Sequence, residues 1–328
     1  MVLSRWVIGS VAAALAQTAA ADLVLQQPVD CTLGDTCVIQ QFMDHDTTDG
    51  IQDFTCDEAS YDGHKGTDFR ISAGDMQRGV NVLAAADGVI LGLRDGMVDR
   101  RAQSQSDLDA VSGKECGNGM VLRHENGWET QYCHMKQGSV IGEKGTTIKA
   151  GTVIGQIGLS GRTQFAHLHL SVRKDGKPVD PFSPEFDSTR CTYEPESTLW
   201  DPDFVEKFTY QPTKVVTVGL ADTGPSVNDV MDGNWSDFQP KSDAPLVVYG
   251  IAVNGKTDDV LELTLEGPTG QIITSKRPPL EKRKAQWFGF AGKRAPAGGW
   301  AAGKYQIHVN VLRDGRVLHS ETRTMTLN

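Results

Sequence analysis

The 328-residue chain has no His-Glu-x-x-His motif, which excludes the helical metallopeptidase design in which a glutamate on the zinc helix serves as base. No two of its six cysteines form a C-x-x-C pair, so a structural zinc site built from four cysteines is not expected. There is no low-complexity tract, and no block of like charge long enough to read as a disordered tail. Basic residues are in the minority, with a formal net charge of −10, which argues against a nucleic-acid partner. Long apolar runs are also missing. The longest, Trp6–Ala16, follows Arg5 and precedes Ala19-Ala20-Ala21, the order of a basic region, an apolar region and a small-residue cleavage site. It is short for a bilayer span. Residues 1–21 therefore read as a signal peptide, giving an exported protein, periplasmic or secreted, with no stable membrane insertion after cleavage.

Amphipathic helical stretches are scarce as well. Most apolar segments are short, β-branched and bounded by Gly, Asn or Asp, as in Val80–Leu83, Gly88–Leu93 and Thr152–Ile157. This is the pattern of an all-β chain. Asn126-Gly127 lies between two such runs, 120–124 and 128–132, and favours the positive φ of a type I′ turn, so the runs are expected to pair as a hairpin. Cys133 then falls roughly opposite Met120. Cys116 lies just beyond, with Gly117 and Gly119 to bend the chain, so a Cys116–Cys133 disulfide is expected. Cys31, Cys37, Cys56 and Cys191 remain, and an even count in an exported chain suggests further disulfides.

The expected organisation is a disulfide-containing segment at 22–59, an antiparallel β domain at 60–182 and a linker at 183–212, where Pro184, Pro195, Pro202 and Pro212 punctuate a polar stretch. A β-sandwich of immunoglobulin-like type at 213–328 completes it, with turn signals at Asn254-Gly255 and Asp314-Gly315. That last unit has no dense polar cluster and reads as an accessory domain for binding or spacing. Asp44-His45-Asp46 belongs to a loop that either flanks the functional groove or reaches into it, and the first reading is preferred.

Candidate chemistry concentrates in four segments. His64 and Asp68 are four residues apart. In a straight strand they would be separated by about 13 Å, so they chelate only if a turn near Gly66 folds them together. His167 and His169 alternate with Leu168 and Leu170, and so project from one face of a strand about 7 Å apart. They are either a ligand beside a catalytic group or two surface histidines. His134 ends the predicted hairpin. The glycines from Gly151 to Gly161 lack the lysine of a phosphate loop and read as turns between strands.

In order and spacing, His64-x-x-x-Asp68, Tyr132-x-His134, the Ala150–Gly155 stretch and His167-Leu168-His169 together resemble the lysostaphin/LytM-type zinc endopeptidases, over Tyr61 to Phe182, roughly two-fifths of the chain. The resemblance implies that His64, Asp68 and His169 bind one Zn2+ per chain, and that His134 and His167 are the catalytic histidines. It implies a peptidoglycan hydrolase cutting peptide bonds in stem peptides or cross-links, with protein regulators left open. Some relatives of this kind lose the ligands and act without catalysis, so the alternative is a cell-wall-binding or regulatory protein using the same groove. Two departures stand out: Ala166 where Pro is common, and Leu170-Ser171 where Phe-Glu is common. The second removes an acidic neighbour of the ligand set but no ligand, and Leu170 is expected to face the core.

Overall fold

The computed structural model describes residues 23–327; the leader 1–21 lies outside them. The first unit is a large antiparallel sheet. Its strands are β1 (Cys37–Gln41), β2 (Thr67–Ile71), β4 (Gly88–Arg94), β5 (Asn118–Arg123), β6 (Trp128–Met135), β7 (Thr147–Ile148), β9 (His167–Lys174) and β10 (Lys177–Val179), with the short β3 (Asn81–Leu83) and β8 (Val153–Gln156) paired apart. The order is β1-β2-β9-β6-β5-β4-β7, with β10 on β9. β9 thus lies between β2 and β6, although each is far from it in sequence. Leu168, Leu170 and Val172 on β9 are buried beside Phe69, Leu122 and Tyr132, while the alternate residues face the other way. Leu170 does face the core.

The β5–β6 hairpin forms as expected. Asn126 and Gly127 have φ of 55° and 78°, and the Trp128 amide donates to the Glu125 carbonyl, as a type I′ turn requires. Met120 pairs with Tyr132, so Cys133 falls one residue beyond the position read from sequence. Cys116 and Cys133 form a disulfide, as do Cys31 with Cys37 and Cys56 with Cys191.

Residues 183–212 pack back onto the first unit. Helix α1 (Pro202–Lys207) turns Phe204 into the core, where it joins Trp200, Leu199, Phe42, Phe54, Phe69 and Phe182, and Cys191 is tied to Cys56. A proline-punctuated polar sequence conceals this because its aromatic residues follow no helical or strand period.

The second unit has strands β11 (Lys214–Ala221), β12 (Leu246–Gly255), β13 (Val260–Gly267), β14 (Gly270–Lys276), β15 (Lys284–Lys293), β16 (Gly303–Arg313) and β17 (Arg316–Leu327). They form a three-stranded sheet, β11-β12-β15, and a four-stranded sheet, β14-β13-β16-β17. Val248 and Ala252 of one sheet share a core with Leu263, Ile307 and Val309 of the other, which makes a sandwich. Asp314-Gly315 turns β16 into β17 with both residues at positive φ. Asn254-Gly255 makes no such turn. It ends β12, and the Asn254 amide donates to the carbonyls of Gln40 and Pro212 in the preceding unit. Among the described residues no helix is long and apolar enough to cross a membrane.

Candidate active site

Strand register assembles the site. Asp68 on β2 pairs with His169 on β9, Arg70 pairs with His167, and Cys133 on β6 pairs with His169 from the other side. His64 enters from the turn before β2, where Gly63 takes a φ of 71° and the His64 amide donates to the Tyr61 carbonyl. Gly66 completes the approach. A Cβ there would lie 2.6 Å from the Leu170 carbonyl oxygen and 2.7 Å from the His169 ring, so only glycine lets this loop reach β9. All five histidine and aspartate residues singled out in the sequence therefore meet on one face of the sheet. Four are buried, while His169 keeps 16% of its side chain exposed.

Three atoms converge. His64 Nε2 is 3.1 Å from Asp68 Oδ1 and 3.1 Å from His169 Nδ1, and His169 Nδ1 is 2.8 Å from Asp68 Oδ1. The far side of each imidazole is already engaged. His64 Nδ1 donates to the Phe42 carbonyl at 2.6 Å, which leaves Nε2 of the neutral ring as a bare lone pair. His169 Nε2 lies 2.9 Å from the Ser171 hydroxyl, and when it donates there its Nδ1 is a lone pair too. Two nitrogen lone pairs and a carboxylate oxygen so close together repel unless a cation sits among them. Two imidazoles and one carboxylate are a donor set suited to a divalent metal such as zinc, with a fourth position left open.

The same demand for positive charge appears in the titration of these groups. Burial pulls His64 down, but the Asp68 charge and hydrogen bond and the Phe42 carbonyl outweigh it and raise it above its ordinary value. Asp68 is also opposed by burial, yet the His64 and His167 rings and its hydrogen bonds hold it well below the usual carboxylate range.

His134 and His167 flank this trio. Their ring centroids are 4.7 Å apart, and His167 Nε2 is 3.6 Å from Asp68 Oδ1. His134 Nδ1 donates to the Ser160 carbonyl at 2.9 Å and His167 Nδ1 to the Phe165 carbonyl at 2.8 Å, so each ring is left with a basic Nε2. Burial, followed by repulsion from His167 and His169, pushes His134 well below its usual value; burial likewise lowers His167. Both are therefore neutral proton acceptors at pH 7.

His134 also has a φ of 64°, a left-handed conformation rare for a non-glycine residue and costing about 1–3 kcal/mol. Its neighbours enforce it. The His134 amide donates to the Cys116 carbonyl, its carbonyl accepts from Gly158, and the Cys116–Cys133 disulfide pins the adjacent residue. The expected disulfide is thus part of the frame that aims this ring.

The supporting groups were largely invisible in the sequence. Three are backbone carbonyls, of Phe42, Ser160 and Phe165, which carry no side-chain signature. Only Ser171 carries a sequence signal, as the next residue on the histidine face of β9. Tyr61 stacks on His64 with centroids 4.4 Å apart. The Asp44 and His45 side chains bond to groups other than the three ligand side chains. The Asp44 carboxylate accepts the amides of Asp46, Gln52 and Gly63, and His45 pairs with Asp180 at 2.7 Å.

Residues 62–181 match the model of Peptidase family M23. The DD-carboxypeptidase/endopeptidase Mpg of Neisseria meningitidis serogroup B is 40% identical over 67 residues, 20% of this chain and 15% of that protein. The peptidoglycan DD-endopeptidase ShyA of Vibrio cholerae serotype O1 is 29% identical over 117 residues, 36% of this chain and 22% of that protein. The chain thus spans less than a quarter of the length of these curated relatives. Among solved structures, a zinc-containing peptidase from Vibrio cholerae aligns over 48% of this chain and 37% of that one, with 22% identity and a TM-score of 0.29.

Proposed function

We propose that this protein is a zinc-dependent endopeptidase that hydrolyses peptide bonds in peptidoglycan stem peptides or cross-links. The observation that carries the reading is the convergence of His64 Nε2, Asp68 Oδ1 and His169 Nδ1 beside two further imidazoles that each present a basic Nε2. The match to Peptidase family M23 and the peptidoglycan endopeptidases among its relatives support the substrate class. The apolar leader and three disulfides support an exported protein, periplasmic or secreted.

His64, Asp68 and His169 would hold the zinc, with His64 oriented by the Phe42 carbonyl and His169 by the Ser171 hydroxyl. When bound, zinc supplies Lewis acidity that makes water nucleophilic near neutral pH. His134 and His167 supply the proton traffic. Each is held by its Nδ1–H in the tautomer whose Nε2 accepts a proton from the attacking water, and each can return that proton to the leaving amine. Burial of both rings keeps bulk water from competing for Nε2.

Incubation with purified peptidoglycan tests the reading. The intact protein is expected to release soluble fragments with new amino termini, detected by mass spectrometry, and to stop doing so with a chelator or with His134→Ala. Release that survives both treatments would overturn it, as would no release at all from metal-replete protein.

Ser171 takes the place of the acidic residue common in similar proteins, and its support of His169 is testable separately. Ser171→Ala is expected to weaken zinc binding by about 10–100-fold in competition titrations, because a ligating imidazole loses the partner that fixes its tautomer. An unchanged affinity would assign that orientation to the strand alone.

A further inference from the structure

The sandwich domain is not a distant appendage. It meets the first unit through several contacts, among them Asn254 with Gln40, Lys256 with Asp57 and Arg101 with Asp232, and the one at Arg70 lies on the strand pair that carries the histidines. This residue is only 4% exposed, yet its guanidinium hydrogen-bonds to neutral groups. Its Nη1 donates to Gln40 Oε1 at 2.6 Å and to Gln286 Oε1, on β15, at 2.7 Å. Its Nη2 lies 3.4 Å from Met231 Sδ on helix α2 (Val227–Met231), and its Nε has no partner.

The guanidinium lies over the Phe165 ring, with Cζ 4.8 Å from the centroid, a cation–π geometry. Phe165 in turn packs against the second-domain cluster that includes Val230, Met231, Tyr249 and Ile251. Its ring faces His167, with centroids 4.4 Å apart at 31°, and its carbonyl receives the His167 Nδ1–H. Arg70 and His167 are also directly paired across β2 and β9. A chain of contacts therefore runs from Gln286 to Arg70, to Phe165, to the imidazole that presents its Nε2 to Asp68.

We propose that the second domain is a working part of the active centre: Gln286 and Arg70 are positioning residues that fix Phe165 and, through it, the ring plane and tautomer of His167. This rests on the peptidase reading for its kinetic consequence, but not for its structural one. A cation buried without a counter-ion stays in place only while neutral oxygens and an aromatic face satisfy it. When the Gln286 oxygen is removed, one N–H of Nη1 is left without an acceptor while the other keeps Gln40, the guanidinium turns about that remaining bond, and Phe165 loses the group lying over its ring. His167 then loses the alignment of Nε2. Proton transfer suffers, while substrate contacts elsewhere in the groove do not.

The test uses the full chain with Gln286→Met, Gln286→Glu and Arg70→Met. Gln286→Met is expected to lower kcat on purified peptidoglycan by about tenfold or more with KM within about twofold, the signature of lost alignment in the transition state. Gln286→Glu keeps an oxygen on Arg70 and is expected to retain most of kcat. Arg70→Met is expected to match or exceed the Gln286→Met loss. A second readout is independent of activity. In protein labelled with 15N at histidine, the His167 Nδ1–H is expected to exchange with solvent at least about tenfold faster in Gln286→Met than in the parent, because its bond to Phe165 loosens. Unchanged kcat and unchanged exchange in Gln286→Met would overturn the proposal. Equal losses in Gln286→Met and Gln286→Glu would also overturn it, since that pattern marks a general loosening of the domain contact. If the parent protein cuts no peptidoglycan, the peptidase reading fails on that result, and the exchange measurement still decides this one.

Discussion

His134→Asn is expected to reduce kcat on purified peptidoglycan by about 10²–10⁴-fold, the usual worth of a positioned proton-transfer group, with zinc content unchanged. Asparagine is the informative replacement because His134 sits at a φ of 64°. Asparagine tolerates that conformation and alanine does not, so the two variants separate chemistry from backbone strain. Both should lose the same catalytic factor. Only His134→Ala should also lose thermal stability, by a few degrees for each ~1 kcal/mol of added strain. Initial rates and melting curves on the two proteins check this. A His134→Asn protein that works within about tenfold of the parent would remove His134 from the proton-transfer role.

Asp68→Asn has the other large expected effect. Asp68 supplies the only negative charge among the three converging atoms, and although burial opposes it, the His64 and His167 rings and its hydrogen bonds hold it well below the usual carboxylate range. An amide of the same shape removes that charge and places an N–H donor toward the imidazole lone pairs. The parent protein is expected to gain about 4 kcal/mol of stability with free zinc near 1,000 times its Kd. Asp68→Asn should show no such gain, and its hydrolysis should fall to the level of the chelated parent. The zinc-free variant should melt at or above the zinc-free parent at a pH where His64 is neutral, because the clash of lone pairs is relieved. Thermal melts with and without zinc decide the matter. A zinc-dependent rise in melting temperature that survives in Asp68→Asn would mean that the ion binds elsewhere.

How much of this was legible in the sequence depends on the kind of group involved. The alternation in His167–Val172 was readable because strand geometry has a period of two, and Leu168 and Leu170 are indeed buried while the histidines share the other face. His64 and Asp68 alone were a weak pair. Their third partner arrives across the β2–β9 ladder, roughly a hundred residues along the chain, and only the spacing shared with similar proteins joined them. The Asn126-Gly127 turn placed Cys116 near Cys133, since local turn chemistry sets hairpin register to within a residue.

Other features left no periodic or local trace. The carbonyls that orient His64, His134 and His167 could come from any residue type. The aromatic residues of 183–212 follow no regular spacing, so their burial depends on tertiary contacts alone. Asn254-Gly255 has the composition of a tight turn, but the Asn254 amide finds carbonyls on Gln40 and Pro212, and β12 runs on to Gly255. Arg70 reads in sequence as an ordinary strand arginine beside the Asp68 motif. Its partner Gln286 lies 216 residues away, and no spacing rule reaches that far.

The proposed chemistry depends on His64, Asp68 and His169 holding a metal. Elemental analysis of the full chain, purified under metal-replete conditions and freed of loosely held ions, tests it most directly. About one zinc per chain is expected, lost in Asp68→Asn and retained in His134→Asn. A parent protein with no bound metal, or one that keeps its zinc after Asp68→Asn, would contradict it.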